Sequence, residues 1–379
     1  MTKLNRKSSY QNNILSSFQN LCIIFVGIMD IKNASKQLGL KLKAKVDEYN
    51  AAPAAFTDLK EVMIRAFQSN GWFTEKNIIT SLTQWANALQ EKNVDQWLST
   101  YNLNQPLSAP KRVGVINAGN IPFVGLHDLL SVLNSGHIYF GKNASDDKYL
   151  LPWIASLLIE IEPTLKSRIN FIEKLNEIDA VIATGSDNSS RYFDYYFGKY
   201  PHIIRKNRNG VAILTGKETT EQLSNLGKDI FQYFGLGCRN VSKLYVPKDY
   251  NFNLFFESIY NENELMNHTK YMNNFDYNNS VLLLKLVPFL QNGFLIIREE
   301  EVIPSPISIV HYEFYDDINS LQHKLIQRKE QLQCIVADEK LISFSDELKN
   351  IVVDFGQTQS PSLWDYADGV DTMSFLSGL

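Results

Sequence analysis

Between residues 112 and 235 the chain keeps changing its period: short β-branched runs alternate with stretches of helical length. RVGVIN (112–117), HIYFG (137–141), DAVIATG (179–185) and GVAILTG (210–216) read as strands, each closing on Gly or Asn. LHDLLSVLNSG and LLPWIASLLIEIEP lie between them with helical spacing, and TTEQLSNLGKDIFQYFG (219–235) follows as another helix. Strand and helix in strict alternation predict a parallel, doubly wound sheet. A second series of strand-like runs, KLYVP, SVLLLK, GFLIIRE, ISIVHYEFY, LQCIVAD and IVVDFG, predicts a second α/β domain. Ahead of the proline-containing linker NLNQPLSAPK (102–111), residues 33–100 space their apolar side chains at three and four and read as helices.

The totals narrow the function classes. A chain of 379 residues can bury a sizeable core. Its 37 Lys and Arg against 41 Asp and Glu give a net charge of −4, which supplies no electrostatic footprint for nucleic acid or anionic lipid. Three cysteines, Cys22, Cys238 and Cys334, show neither zinc spacing nor a disulfide framework, so no metal site is expected and a reducing, cytoplasmic compartment is. LCIIFVGIM (21–29) is about half the length that spans a bilayer. After Lys3, Arg6 and Lys7 it could read as a signal h-region, but Asp30 and Lys32 follow and no small-residue cleavage site does. Residues 1–28 match no periodic pattern whereas an amphipathic helix starts at Met29, so the expectation is that translation begins at Met29 and that 1–28 is an extension of doubtful origin.

Four stretches carry residue types suited to chemistry. VGVINAGNIPFVG (113–125) sets Asn117, Gly119 and Asn120 at the end of a strand, where open α/β sheets bind ligands; it reads as an ordinary strand-to-helix turn or as a site whose Asn120 amide donates to an oxyanion. IYFGKNASD (138–146) ends on Lys142, a surface lysine or a contact to a nucleotide ribose or phosphate. VIATGSDNSS runs from a strand through Gly185 and Ser186 into a helix, a phosphate cradle or a simple N-cap. FGLGCRN places Cys238 after two glycines and beside Arg239, where a tight turn exposes the thiol and a cation favours its thiolate. Cys334, inside LQCIVAD, fits inert packing.

In this order INAGNIPF, FGKNAS, ATGS and FGLGCRN resemble the aldehyde dehydrogenase superfamily, and more closely its acyl-CoA reductase branch, the long-chain fatty acyl reductases of the bioluminescence type. The likeness continues in REEEVIPSPISIVHYEFYDDIN (298–319) and FGQTQSPSLWDYADGVDTMSFL (355–376) and covers about 110 to 375. It implies an aldehyde dehydrogenase-like α/β fold of two doubly wound domains with a cleft between them. Residues 29–214 would hold the N-terminal helices and a dinucleotide-binding domain, 215–354 a catalytic domain with Cys238, and 355–379 a tail through which copies pair as a homo-oligomer. By resemblance Cys238 is the nucleophile and Asn120 helps bind the oxyanion. Lys142 touches the adenosine ribose or its 2′-phosphate, Gly185 and Ser186 lie by the pyrophosphate, and Glu301 holds the nicotinamide ribose.

Two departures from the family pattern shape the expected reaction. HIIRKNRNG (202–210) stands where aldehyde-oxidising members carry the Glu that activates water, so thioester hydrolysis should be poor and reduction of a thioester favoured, with His202 as a nearby proton carrier. Ser145 stands where NAD-preferring members have an acidic residue, so NADPH is the expected reductant, with NADH as the alternative. The implied partner is an acyl-CoA or an acyl-carrier protein. Two other readings stay open: an NAD(P)-dependent aldehyde dehydrogenase running toward the acid, and a non-catalytic nucleotide-binding scaffold on the same fold.

Overall fold

A computed structural model of the protein describes residues 31–103, 109–185 and 187–379. The apolar run at 21–29, the start at Met29 and Ser186 lie outside the described residues. The described residues form two compact units, one made of those up to Ser69, of Ile78–Arg205 and of Ser362–Leu379, the other of Asn70–Asn77 and Lys206–Pro361.

The first unit is built on a five-stranded sheet of β1 (Arg112–Ile116), β2 (Ile138–Lys142), β3 (Ile169–Phe171), β4 (Ala180–Thr184) and β5 (His202–Arg205), in the order β3-β2-β1-β4-β5. Every pairing is parallel. β1 and β4 are central, hence covered on both faces, and their RVGVI and AVIAT read as near-continuous apolar runs for that reason. The helix Leu126–Asn134 follows β1 and is buried over almost its whole surface. The edge strands β3 and β5 leave residues exposed, so neither announces itself in the sequence.

The second unit holds a seven-stranded sheet of β6 (Asn209–Ile213), β7 (Val241–Pro247), β8 (Leu290–Gln291), β9 (Ile296–Glu299), β10 (Ile309–Tyr315), β11 (Leu332–Val336) and β12 (Val352–Val353). Its order is β12-β11-β6-β7-β10-β9-β8, parallel except for β8 against β9. The helix Thr220–Phe231 starts on a capping box, Thr219 accepting from Gln222 N–H while the Gln222 side chain returns the bond. It packs Leu223, Leu226, Ile230 and Phe231 with Val241, Leu244, Val246 and Phe255 in one core cluster.

Three expectations need correction. β6, assigned above to a domain ending at 214, pairs with β7 and β11, so the division falls at 205/206. Of the 355–379 tail, residues 362–379 belong to the first unit. SVLLLK, read as a strand, closes the helix Thr269–Leu284, whose apolar residues before it are too sparse to show a helical period. Among the described residues no helix is long and apolar enough to cross a membrane.

Candidate active site

In the first unit the residues singled out above gather at one edge of the sheet. Because β1, β2 and β4 run parallel, residues 117–120, Lys142 and Gly185 all leave their strands at the carboxyl end, on either side of the point where the strand order reverses. The loops are tied to one another. Asn117 N–H donates to the Lys142 carbonyl at 3.0 Å. Asn117 Nδ2 donates to the Tyr139 hydroxyl at 2.8 Å and to Asn143 Oδ1 at 3.0 Å. A Cβ on Gly119 would come within 2.6 Å of Ala144 Cβ, so the loop after β1 can lie against the loop after β2 only with glycine there. Asn120 is half-buried on that loop, and Lys142 is exposed at the end of β2.

This edge suits a dinucleotide. Gly185 leads directly into the helix Asp187–Phe197, whose first N–H groups form an anion-binding start. Lys142 offers a cation at the same edge, two strands away with β1 between, and Asn117 Oδ1 is a buried acceptor with no hydrogen-bond partner among the described residues. Ser145 is exposed, and its hydroxyl donates to the Asp146 carboxylate at 2.9 Å, so a negative charge stands next to the serine. Asp147 is buried behind that loop, and burial lifts its carboxyl to about 6. His202 does not join the group. It pairs in register with Val181, near the start of β4, about 13 Å of strand away from Gly185. Its Nδ1 bonds the Tyr200 carbonyl. At the carboxyl end of β5, Arg205 makes a buried bidentate pair with Asp128 at 2.6 and 2.8 Å. The segment 202–210 thus presents cations and amides, and no carboxylate.

In the second unit Cys238 lies three residues before β7, on a turn, and is partly exposed. The chain reaches it through an unusual exit from the helix Thr220–Phe231: Tyr233, Phe234 and Gly235 follow with φ of 54°, 59° and 76°. Only Gly235 takes the left-handed region without steric cost; the two aromatics are forced there by packing. Phe234 packs against both rings of a stacked Trp72–His268 pair, 5.2 Å from the Trp72 ring centre and 4.2 Å from that of His268. Arg239 is buried and its Nε donates to the Thr358 carbonyl, so a guanidinium expected to serve the thiol also anchors the turn. Cys334 has no exposure and its Sγ donates to the Arg239 carbonyl at 3.5 Å, as inert packing requires.

Glu301 and Cys238 are linked through a residue that sequence reasoning passed over. Lys243, on β7 and fully buried, donates to the Glu300 carbonyl at 2.9 Å, the Glu301 carbonyl at 2.7 Å and Glu313 Oε2 at 2.6 Å. Arg328 holds the same Glu301 carbonyl at 2.8 Å. The strand that follows the cysteine therefore grips the segment that carries Glu301. The Glu300 carboxylate pairs with Arg298 at 2.6 Å, whereas Glu301 keeps its carboxylate exposed. A lysine inside a strand pattern, KLYVP, was the one visible signal.

No protein-family model matches the chain, and no curated protein sequence does. Its fold does match solved structures. Aldehyde dehydrogenase 21 from Physcomitrella patens, in complex with the reaction product succinate, superposes with a TM-score of 0.64 at 12% identity over 95% of this chain and 87% of that one. A putative aldehyde dehydrogenase, PutA, from Anabaena variabilis gives 0.57 at 12% over 94% and 91%. Aldehyde dehydrogenase C from Pseudomonas syringae, in complex with NAD+ and octanal, gives 0.58 at 10% over 88% and 80%. The chain has the aldehyde dehydrogenase fold.

Proposed function

We propose that the protein reduces an acyl thioester, carried by CoA or an acyl-carrier protein, to the aldehyde through a covalent acyl group on Cys238. The observation that carries this reading is a half-exposed cysteine on a turn that follows a strained helix exit and precedes a central strand of this fold, in a chain whose 202–210 segment has no carboxylate to activate water. One neighbour on the same fold binds NAD+ and a medium-chain aldehyde, which supports a nicotinamide and an aliphatic substrate here.

The Cys238 thiolate attacks the thioester carbonyl, the carrier thiol leaves, and the acyl group rests on Sγ. The Cys238 backbone N–H and the Asn120 amide hold the oxyanion, each donor worth about 3–4 kcal/mol in such sites. A dihydronicotinamide, when bound, supplies the hydride. Cys238 then releases the aldehyde as its thiohemiacetal collapses. Lys142, Gly185 and Ser186 would hold the adenosine and pyrophosphate, and Glu301 the nicotinamide ribose. NADPH is the reductant we favour, with Lys142 as counter-charge to a 2′-phosphate; the Asp146 carboxylate beside Ser145 works against it, so both reductants belong in the assay.

Following NADPH and NADH oxidation with acyl-CoAs from acetyl to palmitoyl tests the reading. We expect turnover that Cys238→Ala abolishes. Brisk acid formation from an aldehyde and NAD(P)+ without CoA would replace the reading by aldehyde oxidation, and undiminished turnover in Cys238→Ala would remove the covalent step.

A further inference from the structure

A turn that leaves a helix through three left-handed residues needs an independent tie if its thiol is to keep one place. Asn240, two residues past Cys238 and 2% exposed, supplies it. Its Oδ1 accepts from Gly237 N–H at 2.8 Å. Its Nδ2 donates to the carbonyls of Asp229 at 3.0 Å, Ile230 at 3.3 Å and Gln232 at 2.9 Å. These carbonyls lie at the C-terminal end of the helix Thr220–Phe231, where intrahelical donors run out. One amide thus closes the helix and grips the residue that precedes the cysteine.

The other neighbour of Cys238 is tied to the same helix end. Arg239 Nε donates to the Thr358 carbonyl. Thr358 in turn gives its N–H and hydroxyl to Asp229 Oδ1 at 3.0 and 2.8 Å, while Gly356 N–H reaches Oδ2 at 2.6 Å. Gly237 and Arg239 are therefore both referred to residues 229–232.

We propose that Asn240 is a positioning residue for Cys238: its side-chain amide fixes the Gly237–Arg239 turn on the end of the preceding helix, so that the thiol and the Cys238 N–H keep one orientation toward the carbonyl they act on. The proposal rests on Cys238 being the nucleophile of the reaction proposed above. Asn240→Ala removes both halves of the clamp, and Asn240→Ser keeps a single short hydroxyl in a smaller lesion.

The test measures, on the full chain, the rate of iodoacetamide alkylation at Cys238 across pH by peptide mass spectrometry, with buried Cys334 as internal control, beside circular dichroism and steady-state thioester reduction. In Asn240→Ala we expect native helix content, a kcat lower by about 100-fold with little change in KM, and a displaced pH profile of alkylation, since a displacement of about 1 Å costs that much. Asn240→Ser should fall between it and the wild type, and serves as the folded variant if alanine is not tolerated. A folded variant with wild-type kcat and alkylation profile overturns the proposal. If the wild type reduces no thioester yet the variants still displace the alkylation profile, the clamp stands and the assigned reaction falls.

Discussion

Lys243 is an ammonium with no solvent exposure, in the middle of a central strand, and such a group persists only when its protons are matched. Two carbonyls and the Glu313 carboxylate match them, and the Tyr245 ring lies 5.0 Å from Nζ. Burial pulls its pKa down and Glu313 opposes that pull. Lys243→Met fits the space but leaves the Glu300 carbonyl without its donor and the Glu301 carbonyl with Arg328 alone. Glu313 keeps Lys324 as a partner. We therefore expect a loss of about 2–4 kcal/mol, read from the urea midpoint at unchanged slope. No loss would mean that Arg328 alone secures the Glu301 segment.

At the scale of single elements, the exit from the helix Thr220–Phe231 is where the backbone is most constrained. Gly235 at φ 76° is the last of three left-handed residues, and Gly235→Ala should cost about 1–2 kcal/mol, measurable as a fall in melting temperature. A neutral outcome would show that the turn is not conformed as described. The same region shows what a sequence discloses. The paired glycines and the cysteine were legible because a tight turn leaves a local composition, and β1, β4 and β11 were legible because burial on both faces leaves a continuous apolar run. Asn240, Asp229 and Lys243 were not, because their roles depend on partners brought close by the fold: Thr358 lies 129 residues beyond Asp229 and Glu301 lies 58 beyond Lys243. β3 and β5 escaped notice as short edges, and SVLLLK was misread because a brief apolar run does not by itself distinguish a helix end from a strand.

For the molecule as a whole, the chain returns at its end to the unit in which its described part begins. Trp97 Nε1 donates to the Tyr366 hydroxyl at 2.7 Å, Arg205 donates to Thr372 at 3.0 Å, and His127 and His137 bond the carbonyls of Leu363 and Leu376 at 2.8 and 2.9 Å. The last residues are thus built into the first unit. Asp147 in the first unit and Asp229 in the second are buried carboxyls, both lifted to about 6 by burial, with Asp354 adding to the rise at Asp229. Unfolded, each would titrate near its ordinary 3.8, so between about pH 4 and 6 the folded chain binds protons that the unfolded chain has lost. Stability from these two groups is fullest below that window and declines as pH rises through it, on the order of 2–3 kcal/mol for each. Asp147→Asn should flatten its share, stabilising the protein at pH 7 and leaving pH 4 nearly unchanged in denaturant titrations; an unchanged slope would show that Asp147 does not titrate there. The central claim is tested most directly by mixing the protein with an acyl-CoA in the absence of reductant and weighing it intact. The account predicts a single acyl adduct on the peptide containing Cys238, discharged as aldehyde when NADPH or NADH is added, and an unmodified Cys238 or an adduct released only as free acid would contradict it.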